Sequence, residues 1–341
     1  MGRFYTLDIL IFLFITAHIC VGTSLFAQAA DQSSDEGMSL LKKNMPSPDP
    51  DLFITDKKLL DQTIYNKKIV YVIENNQKGS EAKINIDDIV SEAKSSGFLI
   101  TKLNLSNKNL TQFPNEILAL TDLEYLDLSN NNLTDIPSGI SKLKKLKYLS
   151  LNNNSIDSIP VSLFTINSLE LLKLEYNSDT LFMPSNVNML SNLKTFWVSG
   201  VKELPSTFWE LSQLQNIRLW NSGLTSLPPE IRKFKQLNEI CLRGNLLTEI
   251  PQEIFSIKKL TYLSAAENRL TKISPKINKL RKLDYLGIYD NPIKEIQLKR
   301  RILKSLRFLS AWDTQISEHV LQQIQSKSKN KDLIQLKECS H

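Results

Sequence analysis

A pattern of spaced leucine and isoleucine residues recurs ten times along this chain and constrains its fold more than any other feature. Residues 123–137 and 146–160 align position by position, and both end in Ile-Pro. Successive units start 23 residues apart, apart from one step of 24 and one of 21. Such self-similarity predicts a repeat array in which each unit packs on its neighbours. The units start at Ile100, Leu123, Leu146, Leu169, Leu193, Leu214, Leu237, Leu260, Leu283 and Leu306.

Three kinds of position define each unit. Positions 1, 4 and 6 are apolar and are spaced like the inward face of a strand. Position 9 is asparagine in six units, and a buried asparagine at a strand-to-loop bend can satisfy several backbone groups of two adjacent units. A proline at position 15 favours a short helix or 3₁₀ turn, because proline suits the first helical position. The asparagines therefore predict a ladder of hydrogen bonds, with Asn131, Asn154, Asn177, Asn245, Asn268 and Asn291 as its members.

These residues resemble the leucine-rich-repeat family, in the bacterial form that carries a Leu-Pro or Ile-Pro turn after the strand. The resemblance covers residues 100–316, about two-thirds of the chain. It implies an α/β fold, a right-handed solenoid with a parallel sheet on its concave face and short helices or 3₁₀ turns on its convex face. It also implies protein–protein recognition, and in exported bacterial members often a host partner such as a cell-surface protein.

The pattern is broken in the middle of the array. The fourth unit has an extra residue near Asp179, and the fifth lacks two residues and has Val201 at the asparagine position. Ser222 replaces the asparagine of the sixth unit. We interpret residues 177–222 as a seam where curvature or twist changes, and neutral drift in a tolerant loop is the alternative.

The first 29 residues predict a secretion signal peptide. Arg3 supplies the positive charge, and the apolar stretch Ile9–Gly22 is too short to span a bilayer comfortably. Residues 27–29 (Ala-Gln-Ala) fit the cleavage rule, so the mature chain is expected to start at Ala30. An uncleaved membrane anchor and lipid modification at Cys20 are the alternatives. We expect a secreted or cell-surface protein, with the periplasm as a further option.

The ends of the array need caps, because terminal repeats expose apolar faces. A strand over Lys67–Glu74 and a helix over Ile86–Lys94 are expected to cap the first repeat, and Ser317 to begin a helix that covers the last. The predicted divisions are a signal peptide (1–29), a disordered segment (30–50), an N-terminal cap (51–99), about ten repeats (100–316), and a C-terminal cap helix with a flexible tail (317–341).

The composition disfavours several function classes. A net charge of +6 is a mild basic excess and does not suggest nucleic-acid binding. No segment after the signal peptide is long and apolar enough for a membrane span. The mature chain has only His319 and His341 as histidines, and no phosphate loop, nucleophile elbow or metal motif. We therefore expect no enzyme activity, catalytic residue, metal or cofactor. A Cys241–Cys339 disulfide is disfavoured because the repeat places Cys241 at an exposed strand position.

The outward strand positions 3, 5 and 7 carry the candidate binding residues. Aromatic and arginine side chains gather there from the fifth repeat onward, and these residue types dominate interface hot spots. We expect them to be exposed and to bind a protein partner. Aromatic stacking along the sheet is the alternative, and it is favoured for Tyr125 and Tyr148. The candidate residues are Trp197, Arg218, Trp220, Arg243, Tyr262, Tyr285, Tyr289, Phe308 and Trp312.

A column of basic residues just before each strand supports a second hypothesis. Such a ridge is suited to anionic glycans or envelope material, as in an adhesin-like module. The simpler reading is that lysines at exposed turns maintain solubility. The ridge consists of Lys144, Lys145, Lys235, Lys258, Lys259, Arg281, Lys282 and Lys304, thickened near its end by Lys299, Arg300, Arg301 and Arg307.

Overall fold

The fold is taken from a computed structural model that describes residues 68–72, 86, 90, 91, 95, 99–330 and 333–335. All of these belong to one compact unit, residues 53–336. The predicted signal peptide, the segment 30–50 and Cys339 lie outside the described residues. In the described part of the chain, no helix has the length and apolar character that a bilayer span requires.

The strands form one open, curved, parallel sheet in which every strand pairs with its neighbours in sequence. This confirms the predicted repeat solenoid. Sheet order follows chain order because each repeat contributes one strand beside the previous one. The described strands are β1 (Lys68–Val72), β2 (Leu99–Asn104), β3 (Tyr125–Asp127), β4 (Tyr148–Ser150), β5 (Leu171–Leu174), β6 (Thr195–Ser199), β7 (Asn216–Trp220), β8 (Glu239–Cys241), β9 (Tyr262–Ser264), β10 (Tyr285–Gly287), β11 (Phe308–Ser310) and β12 (Ile334–Gln335).

The core lies on one face of this sheet. Leu123, Leu126 and Leu128, at positions 1, 4 and 6 of their repeat, have no exposed surface. Equivalent positions pair across strands, so that Leu126 stands beside Leu149 in the register. The apolar residues therefore stack into continuous columns, and each repeat completes its core only against its neighbours.

Short 3₁₀ turns close the core opposite the sheet. Each proline at position 15 precedes its turn as an extended N-cap residue, as at Pro137 with φ −68° and ψ 148°. The expectation that this proline is the first helical residue was wrong, because the turn starts one residue later. The described turns are Asn115–Ala119, Ser138–Lys142, Val161–Thr165, Ser185–Met189, Ser206–Glu210, Pro229–Lys233, Gln252–Ser256, Pro275–Lys279 and Ile302–Lys304.

The asparagine ladder forms as the sequence indicates. The amide of Asn131 donates to the Leu128 carbonyl of its own strand and to the Leu105 carbonyl of the preceding repeat, both at 2.9 Å. Its Oδ1 accepts the N–H groups of Lys108 and Leu110 at 2.9 and 3.0 Å. One side chain thus satisfies backbone groups in two repeats, and each ladder asparagine ties its repeat to the one before.

The broken repeats are compensated by backbone pairing. Val201, which replaces the fifth ladder asparagine, is buried, and it forms a parallel bridge with Leu181. Gly200 accepts from the Leu181 N–H at 3.0 Å and donates to the Trp220 carbonyl at 3.1 Å. The strands β6 and β7 are also five residues long, against three in most other repeats. Main-chain hydrogen bonds therefore take over where the side-chain ladder is interrupted.

Both ends of the array are covered by further elements. At the N-terminal end, Ile86 and Val90 are helical and buried, and β1 pairs in parallel with β2. At the other end, the helix α1 (Glu318–Lys327) buries Leu321 and Ile324, with Ser317 as its N-cap residue. The segment after α1 is not the expected flexible tail throughout, because it contains β12, which pairs with β11.

Candidate protein-binding face

The face of the sheet opposite the core, which we call the concave face, presents positions 3, 5 and 7 of each repeat. Neighbouring strands pair in register, so equivalent positions form rows across the sheet: Tyr262 stands beside Tyr285, which stands beside Phe308. Strands in a sheet lie ~4.8 Å apart, which is close to the stacking distance of planar rings. The rows therefore bring flat side chains into direct contact.

The middle of the concave face is packed against itself. The Trp197 ring has the Arg218 guanidinium carbon 3.8 Å and the Lys173 ammonium 4.2 Å from its centroid. These two cations come from the strands on either side of β6. Arg218 has no exposed surface, and it forms an ion pair at 2.9 Å with the buried Glu239. The middle strands thus bury a cation–π and ion-pair network, whose desolvated charges require this pairing.

Trp220 continues this network toward the C-terminus. Its indole N–H donates to the Cys241 sulfur at 2.9 Å, and the edge of Tyr176 packs on it with centroids 5.8 Å apart. Cys241 has no exposed surface, so the expectation that it lies at an exposed position was wrong. We call Lys173, Glu175, Trp197, Arg218, Trp220, Glu239 and Cys241 the central cluster.

Burial perturbs the charged groups of the central cluster. Desolvation lowers the pKa of Lys173, and the carboxylate of Glu175 only partly offsets this. Desolvation raises the pKa of Glu175, against the opposing effect of Arg218 and Lys173. One carboxylate oxygen of Glu175 and the indole nitrogen of Trp197 are buried without a hydrogen-bond partner. Such groups are costly to bury, so these two atoms oppose the stabilisation that the ion pair and the stacked cations give the cluster.

The exposure expected at four candidate binding residues was therefore wrong. The exposed fractions are 2% for Trp197, 0% for Arg218, 4% for Trp220 and 7% for Tyr289. The cause is geometric, since each long or planar side chain covers its neighbour one strand away. Arg243 is half-buried, and it forms an ion pair with Glu267 at 2.5 Å.

The C-terminal repeats are different, because their rings reach the surface. Tyr262 and Tyr285 stack with centroids 4.4 Å apart and planes within 5°, and both are half-buried. Phe308, next in the row, is 40% exposed. The half-buried Trp312 stacks on Tyr289 with centroids 4.3 Å apart. We call Tyr262, Tyr285, Phe308 and Trp312 the C-terminal aromatic patch.

A glycine fixes the position of one of these rings. A β-carbon added to Gly287 would lie 2.9 Å from both the ring and the hydroxyl of Tyr285, and 3.0 Å from the Ser264 hydroxyl. The Tyr285 ring therefore leans over position 5 of its own strand, which only glycine leaves open. Small residues in the middle row allow the tyrosine rings to lie along the sheet.

A row of acidic residues borders the patch at position 8 of the repeats, where the sequence pattern gave no sign of a binding role. This position has a positive φ in all ten repeats. It is occupied by Asn107, Asn130 and Asn153 in the first three repeats and by Glu267, Asp290 and Asp313 in the last three. Left-handed backbone favours asparagine, aspartate and glycine, so the conformation explains the residue type at Asp290 and Asp313 but neither their charge nor the glutamate at Glu267.

The Tyr125–Tyr148 pair is also stacked, with centroids 4.1 Å apart, as the stacking alternative expected. Burial raises the pKa of the Tyr125 hydroxyl to about 12. At the start of the strands, the ridge side chains are exposed, and two of the twelve cations pair with a carboxylate of the preceding repeat: Lys145 with Asp122, and Arg307 with Asp284. Among the described residues, no group of three or more His, Cys, Asp or Glu side chains is placed to hold a metal ion.

Comparisons with known proteins agree with this architecture. The family described as leucine-rich repeat region matches residues 98–199, and the family described as leucine rich repeat matches residues 212–270. No curated protein matches the chain. Among solved structures, a leucine-rich-repeat protein of Leptospira interrogans is 28% identical with a TM-score of 0.49, and the alignment covers 70% of this chain and 72% of that one.

Two plant receptors align with higher TM-scores. One is the ectodomain of the receptor kinase GASSHO1/SCHENGEN3 from Arabidopsis thaliana in complex with CASPARIAN STRIP INTEGRITY FACTOR 2, 28% identical, with a TM-score of 0.54 over 64% of this chain and 28% of that chain. The other is a plant peptide hormone receptor, RGFR1, in complex with RGF2, 30% identical, with a TM-score of 0.53 over 64% and 40%. This chain thus spans less than half of either receptor chain. The shared fold is typical of protein-binding scaffolds.

Proposed function

We propose that this protein is an exported, non-enzymatic scaffold that binds a protein partner on its concave face. The observation that carries this proposal is the C-terminal aromatic patch, in which Phe308 is exposed and three further rings are half-buried, whereas the middle of the same face is packed against itself. Exposed aromatic clusters on a monomer usually mark interaction sites. Tyrosine and tryptophan are also enriched among the residues that dominate binding energy.

The central cluster supports the patch rather than competing with it. Its ion pair and stacked cations hold β5–β8 in one arrangement, and Arg243 connects it to the patch through Tyr289, whose ring centroid lies 5.6 Å from the guanidinium carbon. A pre-ordered surface loses little side-chain entropy on binding. Trp197, Arg218, Trp220 and Tyr289 are thus assigned to support, and Tyr262, Tyr285, Phe308 and Trp312 to contact.

The test is a pull-down from host-cell surface and bacterial envelope extracts with three forms of the full chain. The aromatic variant carries Tyr285→Ala, Phe308→Ala and Trp312→Ala, and the ridge variant carries Lys258→Glu and Lys259→Glu. We expect the wild type and the ridge variant to retain the same partner and the aromatic variant to lose it. If one ring is a hot spot, the aromatic substitutions should weaken the binding free energy by about 2 kcal/mol or more. Circular dichroism checks that each variant is folded.

The opposite result favours the adhesin-like alternative. If the ridge variant loses the partner and the aromatic variant keeps it, the ridge binds an anionic glycan or envelope component. Two of the twelve ridge cations, Lys145 and Arg307, already pair with carboxylates, which weakens their attraction for such a ligand.

The predicted export has its own test. We expect mass spectrometry of the secreted protein to find Ala30 at the N-terminus. An intact Met1 or an acylated Cys20 would refute cleavage there.

A further inference from the structure

Two carboxylates beside the C-terminal aromatic patch have no cationic partner among the described residues. Asp290 and Asp313 are both exposed, and neither forms an ion pair or side-chain hydrogen bond within the described part of the chain. Their turns are aligned by backbone bonds, since the Asp290 N–H donates to the Trp312 carbonyl and the Asn291 N–H to the Asp313 carbonyl. Adjacent turns of this kind lie about one strand spacing apart, ~4.8 Å.

The charge at these positions is not required by the backbone. Asparagine fills the same left-handed position in the first three repeats, with φ values of 55–58°, against 50° at Asp290 and Asp313. Partial burial and then the neighbouring Asp313 and Glu267 carboxylates raise the pKa of Asp290, while Arg243 opposes the shift. The turns therefore hold like charges close together without a structural need for them.

The preceding repeats show what this arrangement accommodates. Arg243 donates to the Glu267 carboxylate at 2.7 Å, and its guanidinium lies over the ring of Tyr289. The cation at position 7 of one repeat (Arg243) thus contacts a carboxylate at position 8 of the next repeat (Glu267). It also contacts an aromatic ring at position 7 of the repeat after that (Tyr289). The small Ala266 between them leaves room for the arginine to cross.

One repeat further on, a carboxylate and a ring recur without the cation, and Tyr289 stands where Ala266 stood. Asp290 takes the place of Glu267, and Trp312 takes the place of Tyr289. Positions 3, 5 and 7 of the last three repeats contain no lysine or arginine. Resting on the proposed function, we propose that the partner supplies this cation: a lysine or arginine side chain that lies against Trp312 and binds the carboxylates of Asp290 and Asp313.

The patch and its acidic border then act as one site. The rings contribute apolar contact and cation–π attraction, and the two carboxylates select for a basic residue and reject an acidic one. The partner segment is therefore basic at the acidic edge of the patch and apolar over Tyr285 and Phe308.

The experiment selects a random decapeptide library displayed on phage against the full wild-type chain at low salt. The best peptide, and a copy with its lysines and arginines changed to glutamine, are then titrated by fluorescence anisotropy. Three proteins are compared: wild type, Asp290→Asn with Asp313→Asn, and Glu249→Gln with Glu295→Gln. The last is a matched control, because it removes the same charge from exposed residues outside these positions.

We expect the selected peptides to be enriched in lysine or arginine. The Asp290→Asn, Asp313→Asn protein should bind the best peptide about 10-fold more weakly, from the loss of two exposed ion pairs and their coupling to the ring. The control should change the affinity less than about 2-fold. The glutamine copy should bind weakly to all three proteins, with no difference between them.

Other outcomes separate the two proposals. If the peptides need Phe308 and Trp312 but neither the carboxylates nor their own basic residues, the inference is refuted and the proposed function stands. If substitutions in the patch and at the carboxylates both leave binding unchanged, or if no peptide is selected, both proposals are rejected. Enrichment of acidic peptides would also overturn the inference and would favour the ridge.

Discussion

The asparagine ladder makes a quantitative prediction at Asn268. Its Oδ1 accepts the N–H of the fully buried Leu247 at 2.9 Å, and its amide donates to the carbonyls of Leu242, Ala265 and Ala266 at 2.8–3.1 Å. Each of these carbonyls has a second donor, so the substitution Asn268→Ala leaves only the Leu247 N–H without any partner.

The expected cost follows from that count. One buried orphan N–H costs about 1–3 kcal/mol, and three weakened carbonyls add a fraction of that, so we expect a loss of about 3 kcal/mol. The comparison is Ser222→Ala, which removes one hydrogen bond, from the Ser222 hydroxyl to the Trp220 carbonyl at 2.8 Å, and should cost about 1 kcal/mol or less.

Urea unfolding and amide hydrogen exchange measure both effects. Exchange is needed because repeat arrays open locally, and a single unfolding free energy can miss a local loss. Asn268→Ala should accelerate exchange at Leu247, and Ser222→Ala should leave it unchanged. A larger loss of stability for Ser222→Ala, or normal protection at Leu247 in the Asn268 variant, would refute the role assigned to the ladder.

Three further substitutions test other features. Gly200→Ala should destabilise by at least about 1 kcal/mol more than Gly223→Ala in thermal melts, because both have positive φ but only a β-carbon at Gly200 meets backbone, 2.6 Å from the Ser178 oxygen; equal losses would contradict the close approach. Arg218→Met should cost about 3–5 kcal/mol and Arg218→Met with Glu239→Leu much less, since the single change strands a buried carboxylate; urea unfolding of a double variant that is no better would refute this. Burial raises the folded-state pKa of Glu175, so its ionisation penalises folding at neutral pH and not below its unfolded pKa. Glu175→Gln should therefore raise the melting temperature, relative to wild type, more at neutral than at acidic pH, and the reverse order would show that Lys173 and Arg218 outweigh burial.

The fold was predictable because the same pattern of apolar residues recurs in each repeat. Position 4 is apolar in every unit, and ten copies leave one architecture that buries them all. β12 was missed because its two residues lie outside the repeat and carry no comparable signal. The breaks in the pattern at Val201 and Ser222 are visible in the sequence, but their compensation by longer strands depends on backbone pairing that no single residue encodes.

The candidate site was predictable only in part. The sequence indicates which residues point away from the core, but not how much of each a neighbour covers. Trp197 lies between two cations on adjacent strands, whereas Phe308 stands near the end of the row, and their exposure differs accordingly. Asp290 and Asp313 were overlooked because a position that favours asparagine for its backbone angle also admits aspartate, and this hides a change of charge.

The contact between Trp220 and Cys241 gives the molecule an internal reporter. The thiol lies in the middle of the array beneath an indole ring, so an alkylating reagent reaches it only when the central repeats separate. Its labelling rate, mapped by mass spectrometry apart from that of Cys339, thus measures how often the array opens at its centre. A partner that binds the concave face and holds the central repeats together would slow the alkylation of Cys241 without contacting the cysteine.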